Sequence, residues 1–193
     1  VQGLLEGRTF KENTSMIHIV TPCSRPENLE HLRETIPAGC TWTVFMDYST
    51  SKKDVPKGVK VIRSNLGGAW GNPLRNLALD YLQSSASDND YVYFLDDDNI
   101  IHPKWFEAVK DSKEDFINWA QCFRNGDPRL HATASPRVGN IDTASYIVRV
   151  GFIGKARFEY KYEADGLFAQ ALMAGSPRIK THQEYLCYYN YLR

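Results

Sequence analysis

The sequence predicts a three-layer α/β fold built on a mainly parallel sheet and folded as one domain. Three observations carry that expectation. Short apolar runs alternate with amphipathic segments, the runs end in polar or acidic residues, and 193 residues suit one core rather than two.

Taken in order, Met16–Thr21 (MIHIVT) is an apolar run stopped by Pro22 and reads as a strand. Leu29 and Leu32 at helical spacing predict a helix over Asn28–Glu34. Trp42–Met46 (WTVFM) is a second strand ending at Asp47, Tyr48–Lys57 is a polar loop, and Val59–Arg63 is a third strand. The glycine-rich stretch Asn65–Gly71 leads into Asn72-Pro73, an N-cap residue followed by proline at the first helical position. Beyond it Leu74, Leu77, Ala78, Tyr81 and Leu82 form a core-facing stripe, with Arg75 and Asn76 off it near the helix N-terminus. Tyr91–Leu95 (YVYFL) is continuously apolar, as in a strand buried on both faces. His102-Pro103 opens a helix through about Asp111, Phe116–Phe123 and more clearly Tyr146–Phe152 read as strands, and Gly166–Met173 reads as a helix. Residues 1–15 are polar and aperiodic, a leader of vector or interdomain origin ahead of a single domain over 16–193.

Composition narrows the partners. Lys plus Arg equals Asp plus Glu, and no basic cluster is interleaved with aromatics, so nucleic acid is not an expected partner. Cys23, Cys40, Cys122 and Cys187 lack C-x-x-C spacing, which argues against a zinc site or a disulfide framework and suits a reducing, cytoplasmic compartment. No apolar run approaches the ~20 residues that span a bilayer, and the first fifteen residues hold no signal-peptide core, so no membrane span is expected. The many Tyr and Trp residues suit a site for rings or sugars, and equally an aromatic core.

The chemistry concentrates at Asp96, Asp97 and Asp98, directly after the most apolar strand. Like charges so close repel, and a divalent cation offsets that cost. In an extended segment Asp96 and Asp98 share one side and Asp97 the other, so the first and third are the metal-ligand candidates. Hard oxygen ligands favour Mn2+ or Mg2+, which keep positions open for phosphate oxygens. The run also falls beyond the carboxyl end of a strand, where open α/β sheets bind ligands. The competing explanation is a solvated, capping turn.

The segment YFLDDDN resembles the D-x-D motif of GT-A-fold glycosyltransferases, and the set of motifs resembles the inverting β-1,3-glucuronyltransferases in particular. The resemblance rests on Thr21-Pro22-Cys23-Ser24-Arg25-Pro26 at the end of the first strand, Arg75-Asn76-Leu77-Ala78-Leu79 on the helix, and Asp96-Asp97-Asp98-Asn99, in that order over residues 16–102. It implies a nucleotide-sugar-binding half over 16–102 and an acceptor-binding half over 103–193. By the same resemblance Thr21, Pro22 and Arg25 line the nucleotide site, and Asp47 contacts the nucleoside. Arg75 reaches the base or Asp96, Asp97 touches the ribose or sugar, and Asp98 holds the metal on the diphosphate. Weaker matches place Asp142 beside the acceptor, His182 near the diphosphate, and the catalytic base at Glu163 first or Asp165 next. Each has a plainer account: Asp142 suits a turn cap, Glu163 and Asp165 suit a helix N-terminus, and His182 suits the surface. The activity implied is Mn2+-dependent, inverting transfer of a sugar from a UDP-sugar to a hydroxyl of a glycan or glycoconjugate. Cys23-Ser24 departs from the family, which leaves donor sugar and acceptor open.

Rival readings are a nucleotide-sugar or glycan-binding module without transfer, and a haloacid-dehalogenase-type phosphatase. The phosphatase is disfavoured because its acidic motif belongs on the first strand and position 100 is Ile. A sugar-nucleotide pyrophosphorylase is disfavoured because no glycine-rich loop follows the first strand.

Overall fold

In the computed structural model, which describes residues 15–193, the first apolar run forms β1 (Ile17–Cys23) and is buried on both faces. The leader expected over residues 1–15 lies, apart from Ser15, outside the described residues. β2 (Cys40–Asp47) pairs parallel to β1, and β3 (Lys60–Ser64) extends the sheet parallel to β2. β4 (Tyr91–Phe94) joins the other side of β1, also parallel, with Ile17 opposite Tyr91. These strands are joined by α1 (Leu29–Thr35) and α2 (Asn72–Ser85), as short apolar runs separated by amphipathic helices require.

The second half of the chain departs from that pattern. The remaining strands are β5 (Ile100–Ile101), β6 (Phe116–Phe123), β7 (Pro128–Leu130), β8 (Tyr146–Arg149) and β9 (Ile179–Tyr189). The sheet order is β3-β2-β1-β4-β8-β6-β9-β5, with β7 on β6. β8 runs antiparallel to both β4 and β6, β9 runs parallel to β6, and β5 is antiparallel to β9. The sheet is therefore mixed, and the expectation of a mainly parallel one holds only for β1 to β4. The cause is β8: residues 124–145, which lead to it from β6, hold no α-helix to carry a crossover, so it returns antiparallel, and it ends at Arg149 where a strand to Phe152 was expected. Val150–Ile153 turns at once into α4, packing back on α2.

Both faces of the sheet are covered. On one, Leu74, Ala78, Leu79 and Leu82 of α2 and Phe168, Ala169 and Leu172 of α5 (Ala164–Met173) pack on Val20, Phe45, Val92 and Phe94. On the other, Leu32 of α1 and Trp105 and Val109 of α3 (Trp105–Val109) meet Ile19, Tyr93 and Trp119. Burying a side chain of this size contributes ~1.5–3 kcal/mol, so these two clusters supply most of the drive to fold. Among the described residues, no helix is long and apolar enough to cross a membrane.

Candidate active site

The carboxyl ends of β1, β2 and β4 open into a cavity of about 950 Å3. The acidic run reaches it as a turn and not as an extended segment. The Asn99 amide donates to the Asp96 carbonyl (3.1 Å), closing a bend over Asp97 and Asp98. Strand periodicity therefore does not sort these side chains; their partners do. Asp97 is buried, and both its oxygens are taken. Oδ2 accepts from the Ser24 amide (2.6 Å), the Ser24 hydroxyl (3.1 Å) and the Arg25 amide (2.8 Å), while Oδ1 accepts from Arg25 Nε (2.8 Å). This carboxylate thus shapes the exit of β1. Asp98 is buried too, and Oδ2 meets Arg25 Nη2 at 2.9 Å and Arg193 Nε at 2.7 Å.

Asp96 faces α2. The Arg75 guanidinium, buried beneath it, donates to Asp96 Oδ1 and also holds the Trp70 carbonyl and the Asn72 Oδ1, both at 2.8 Å. Asn72 is therefore not the N-cap that its sequence position suggests. Gly71, at φ 80°, takes the cap position in a left-handed conformation, and a Cβ there would lie 3.1 Å from the Pro22 side chain. The Asn72 side chain is freed to donate to the Lys161 carbonyl (3.1 Å), tying the start of α2 to the segment before α5. Asp96 keeps 28 % of its side-chain surface open to the cavity. Even so, the protein packed around it raises its carboxyl to about 7; Arg75 opposes the rise, and Asp142, Asp165 and Asp98 add to it.

The opposite wall is built by the turn Thr143–Ser145 and the start of α5. Asp142 caps that turn, accepting from the Ala144 amide (3.0 Å), and pairs with Arg129 Nη2 (3.1 Å). The turn is held from below, because the Tyr93 hydroxyl (2.9 Å) and Trp119 Nε1 (3.2 Å) both donate to the Ala144 carbonyl. Asp165 lies in the first turn of α5; burial raises its carboxyl above the usual range, Arg75 pulls it down, and Asp142 pushes it up. Glu163, at the N-cap position, is exposed on the cavity rim.

Pro22, Arg25, Asp47, Arg75, Asp96, Asp97, Asp98, Asp142, Glu163 and Asp165 are thus brought to one cavity. Asp47 sits at the β2 exit, its carboxyl lowered by the Ser49 hydroxyl and amide, the amide at 2.8 Å. Two candidates are not on the wall. Thr21 is buried and accepts from Trp42 Nε1 (3.0 Å), and His182 lies on β9 opposite Trp119, with Nδ1 3.9 Å from Glu184. Residues that sequence reasoning missed also line the cavity: Trp70, Arg129, Tyr162, Tyr189 and Arg193. Trp70 had a signal, a bulky residue within a glycine-rich loop. The others had none, since they arrive from segments without periodicity.

Seven carboxylates (Asp47, Asp96, Asp97, Asp98, Asp142, Glu163, Asp165) line the cavity against four guanidiniums (Arg25, Arg75, Arg129, Arg193), an excess of three negative charges when all are ionised. Among the described residues, no group of three or more His, Cys, Asp or Glu side chains is arranged to hold a metal ion. Asp96 and Asp98 instead offer single carboxylates, a donor set that suits an ion sharing its shell with substrate phosphates and water.

The chain shares its fold with nucleotide-diphospho-sugar transferases of known structure. One similar structure is a 4-diphosphocytidyl-2C-methyl-D-erythritol synthase, 13% identical with a TM-score of 0.57, over 93% of this chain and 92% of that one. Another is the mannosyltransferase PcManGT from Pyrobaculum calidifontis in complex with GDP-Man and Mn2+. It is 12% identical with a TM-score of 0.61, and the match covers 92% of this chain but 57% of that one, so this chain spans little more than half its length. A third is the inositol-1-phosphate CTP transferase from T. maritima, 12% identical with a TM-score of 0.50, over 87% and 85% of the two chains. None of these is a β-1,3-glucuronyltransferase, and at such identities the likeness is one of fold. No family model and no curated protein matches the sequence.

Proposed function

We propose that this chain is a metal-dependent, inverting glycosyltransferase that moves a sugar from a nucleoside-diphosphate sugar, UDP-linked in our reading, to a hydroxyl of a glycan or glycoconjugate. The observation that carries the reading is the charge of the cavity: an excess of carboxylates repels a diphosphate unless a cation intervenes. Asp98, with Asp96 beside it, would hold Mn2+ or Mg2+ jointly with the diphosphate. When bound, the ion supplies positive charge that neutralises the departing nucleotide. Arg25 stands next to it for the phosphates, and Asp47 and Pro22 border the nucleoside end. A carboxylate on the opposite wall takes the proton from the acceptor hydroxyl. The oxygen then bonds to the anomeric carbon as the bond to the diphosphate breaks, and the electron pair leaves with the nucleotide. Asp165 is favoured over Glu163 for that base, because burial moves its carboxyl toward neutrality, where a general base works best.

The nucleotidyltransferases that share the fold suggest a second reading, which one observation opposes. Cradling a triphosphate takes free backbone amides after the first strand, and here the Ser24 and Arg25 amides are already spent on Asp97. The test is a donor-hydrolysis screen over nucleotide sugars with Mn2+, paired with calorimetry of UDP with and without chelator. Slow release of UDP from one sugar donor, and binding lost with chelator or in Asp98→Ala, are expected. Equal UDP affinity with chelator present overturns the metal, and release of pyrophosphate from a nucleoside triphosphate overturns the reaction.

A further inference from the structure

Two aromatic side chains stand exposed at the mouth of the cavity without a packing role. Trp70 is 64% exposed and Tyr162 77% exposed, and their ring centroids lie 6.0 Å apart at 75°, edge to face. Leaving such surface in water forgoes the ~1.5–3 kcal/mol that burying a large apolar side chain returns. Trp70 is also held against strain. It adopts φ 55° and ψ 28°, next to Ala69 at φ 45°, in a left-handed stretch that residues with a Cβ seldom enter. Strain of this kind persists only where neighbours enforce it, and they do: the Trp70 carbonyl accepts from Arg75, the partner of Asp96. Tyr162 comes from the other wall, directly before Glu163, and its neighbour Lys161 is fixed to Asn72 at the start of α2. The Trp70 backbone is thus joined through Arg75 to Asp96, and Tyr162 stands beside Glu163 on the other wall.

We propose that Trp70 and Tyr162 form an aromatic platform on which a pyranose ring of the acceptor glycan stacks, and so determine which acceptor is used. This rests on the transferase reading above. The negative faces of the indole and phenol rings suit the C–H face of a sugar, while the sugar's hydroxyls stay free for carboxylates. A nucleobase is the other flat-sided occupant to consider. Tyr162 favours the acceptor, because it stands on the wall of Glu163 and Asp165, whereas Asp47 at the β2 exit lies on the other.

The test uses the fluorescence of the intact chain, since Trp105 and Trp119 are buried and Trp42 is half-buried, leaving Trp70 as the exposed reporter. Lactose, xylobiose, cellobiose and N-acetyllactosamine are titrated in the presence of UDP and Mn2+, with iodide quenching read at each step. We expect at least one disaccharide to shield Trp70 from iodide, and Tyr162→Ala to weaken that disaccharide about tenfold, with Tyr162→Phe restoring most of the loss. Shielding by UDP alone, with a tenfold loss of UDP affinity in Trp70→Ala, assigns the ring to the nucleobase and overturns the proposal. Shielding by none of the four disaccharides overturns it as well. Failure of the platform is separable from failure of the transferase reading, because UDP-sugar hydrolysis and Mn2+-dependent UDP binding are measured on the wild-type chain in the same buffer.

Discussion

Adjacent carboxylates with the same chemistry have different work here because their partners differ. Asp97 spends both oxygens on Ser24 and Arg25, so Asp97→Ala leaves the Ser24 and Arg25 amides without their acceptor and the half-buried Arg25 guanidinium with Asp98 alone. We predict a loss of ~1–3 kcal/mol in urea unfolding. Asp98→Ala, by contrast, should abolish Mn2+-dependent UDP binding, and a loss of UDP binding in neither variant would remove the acidic turn from the site. Asp165 carries a pH prediction. Its carboxyl is raised by burial, so it becomes a base only above the ordinary carboxylate pKa of ~3.9. Turnover should fall on acidification with an inflection above that value, and Asp165→Asn should be inactive while still binding UDP. Wild-type turnover in Asp165→Asn moves the role to Glu163. In stability the sign is reversed: the folded chain holds this proton more tightly than the unfolded one, so stability declines as pH rises from ~4 through the raised value.

At the scale of elements, the site depends on where α5 begins. Gly166 lets the first turn of that helix touch the chain at Val138, since a Cβ there would fall 2.3 Å from the Val138 Cα. Gly166→Ala must displace either the helix or residues 137–141, at a cost of ~1–3 kcal/mol. Asp165 would move with it, so turnover should fall further than the midpoint of thermal unfolding suggests. A second tie is Asp115, which accepts from the Arg178 amide (3.0 Å) and Nε (3.1 Å) and pairs with Arg149 Nε (3.2 Å), joining the starts of β6 and β9 to the end of β8. Those arginines lower its carboxyl. Its contribution is therefore present at neutral pH and lost as pH falls through the depressed value. Asp115→Asn should cost ~1 kcal/mol at pH 7 and progressively less as pH falls through the depressed value, by denaturant titration across that range.

At the scale of the whole molecule, ligand binding and folding are linked. A ligand at one hundred times its Kd adds ~2.7 kcal/mol to the folded state. For a chain of this size that raises the thermal midpoint by roughly 5–10 °C. We predict this rise for UDP with Mn2+ and almost none for Mn2+ alone, since the chain offers the ion single carboxylates and not a cage. An equal rise with Mn2+ alone would point to a resident metal centre.

What could be read from the chain followed the range of the forces involved. The strands and helices from Ile17 to Phe94 were legible because one apolar period fixes each and short connections leave little choice of neighbour. β9 was not: its residues are mostly half-buried or exposed, and register shifts against β6 at Trp119–Gln121 break the alternation that would announce a strand. The acidic run could be seen from the sequence, and its place after the most buried strand marked it as a site. That it is a turn, that Asp97 is committed to Arg25, and that Arg193 and Asp165 arrive beside it were decided only in three dimensions. The physical reason is that periodicity reports which face a residue buries within its own element. The partner of a buried charge is set by contacts between segments far apart in the chain, which leave no periodic trace in either one.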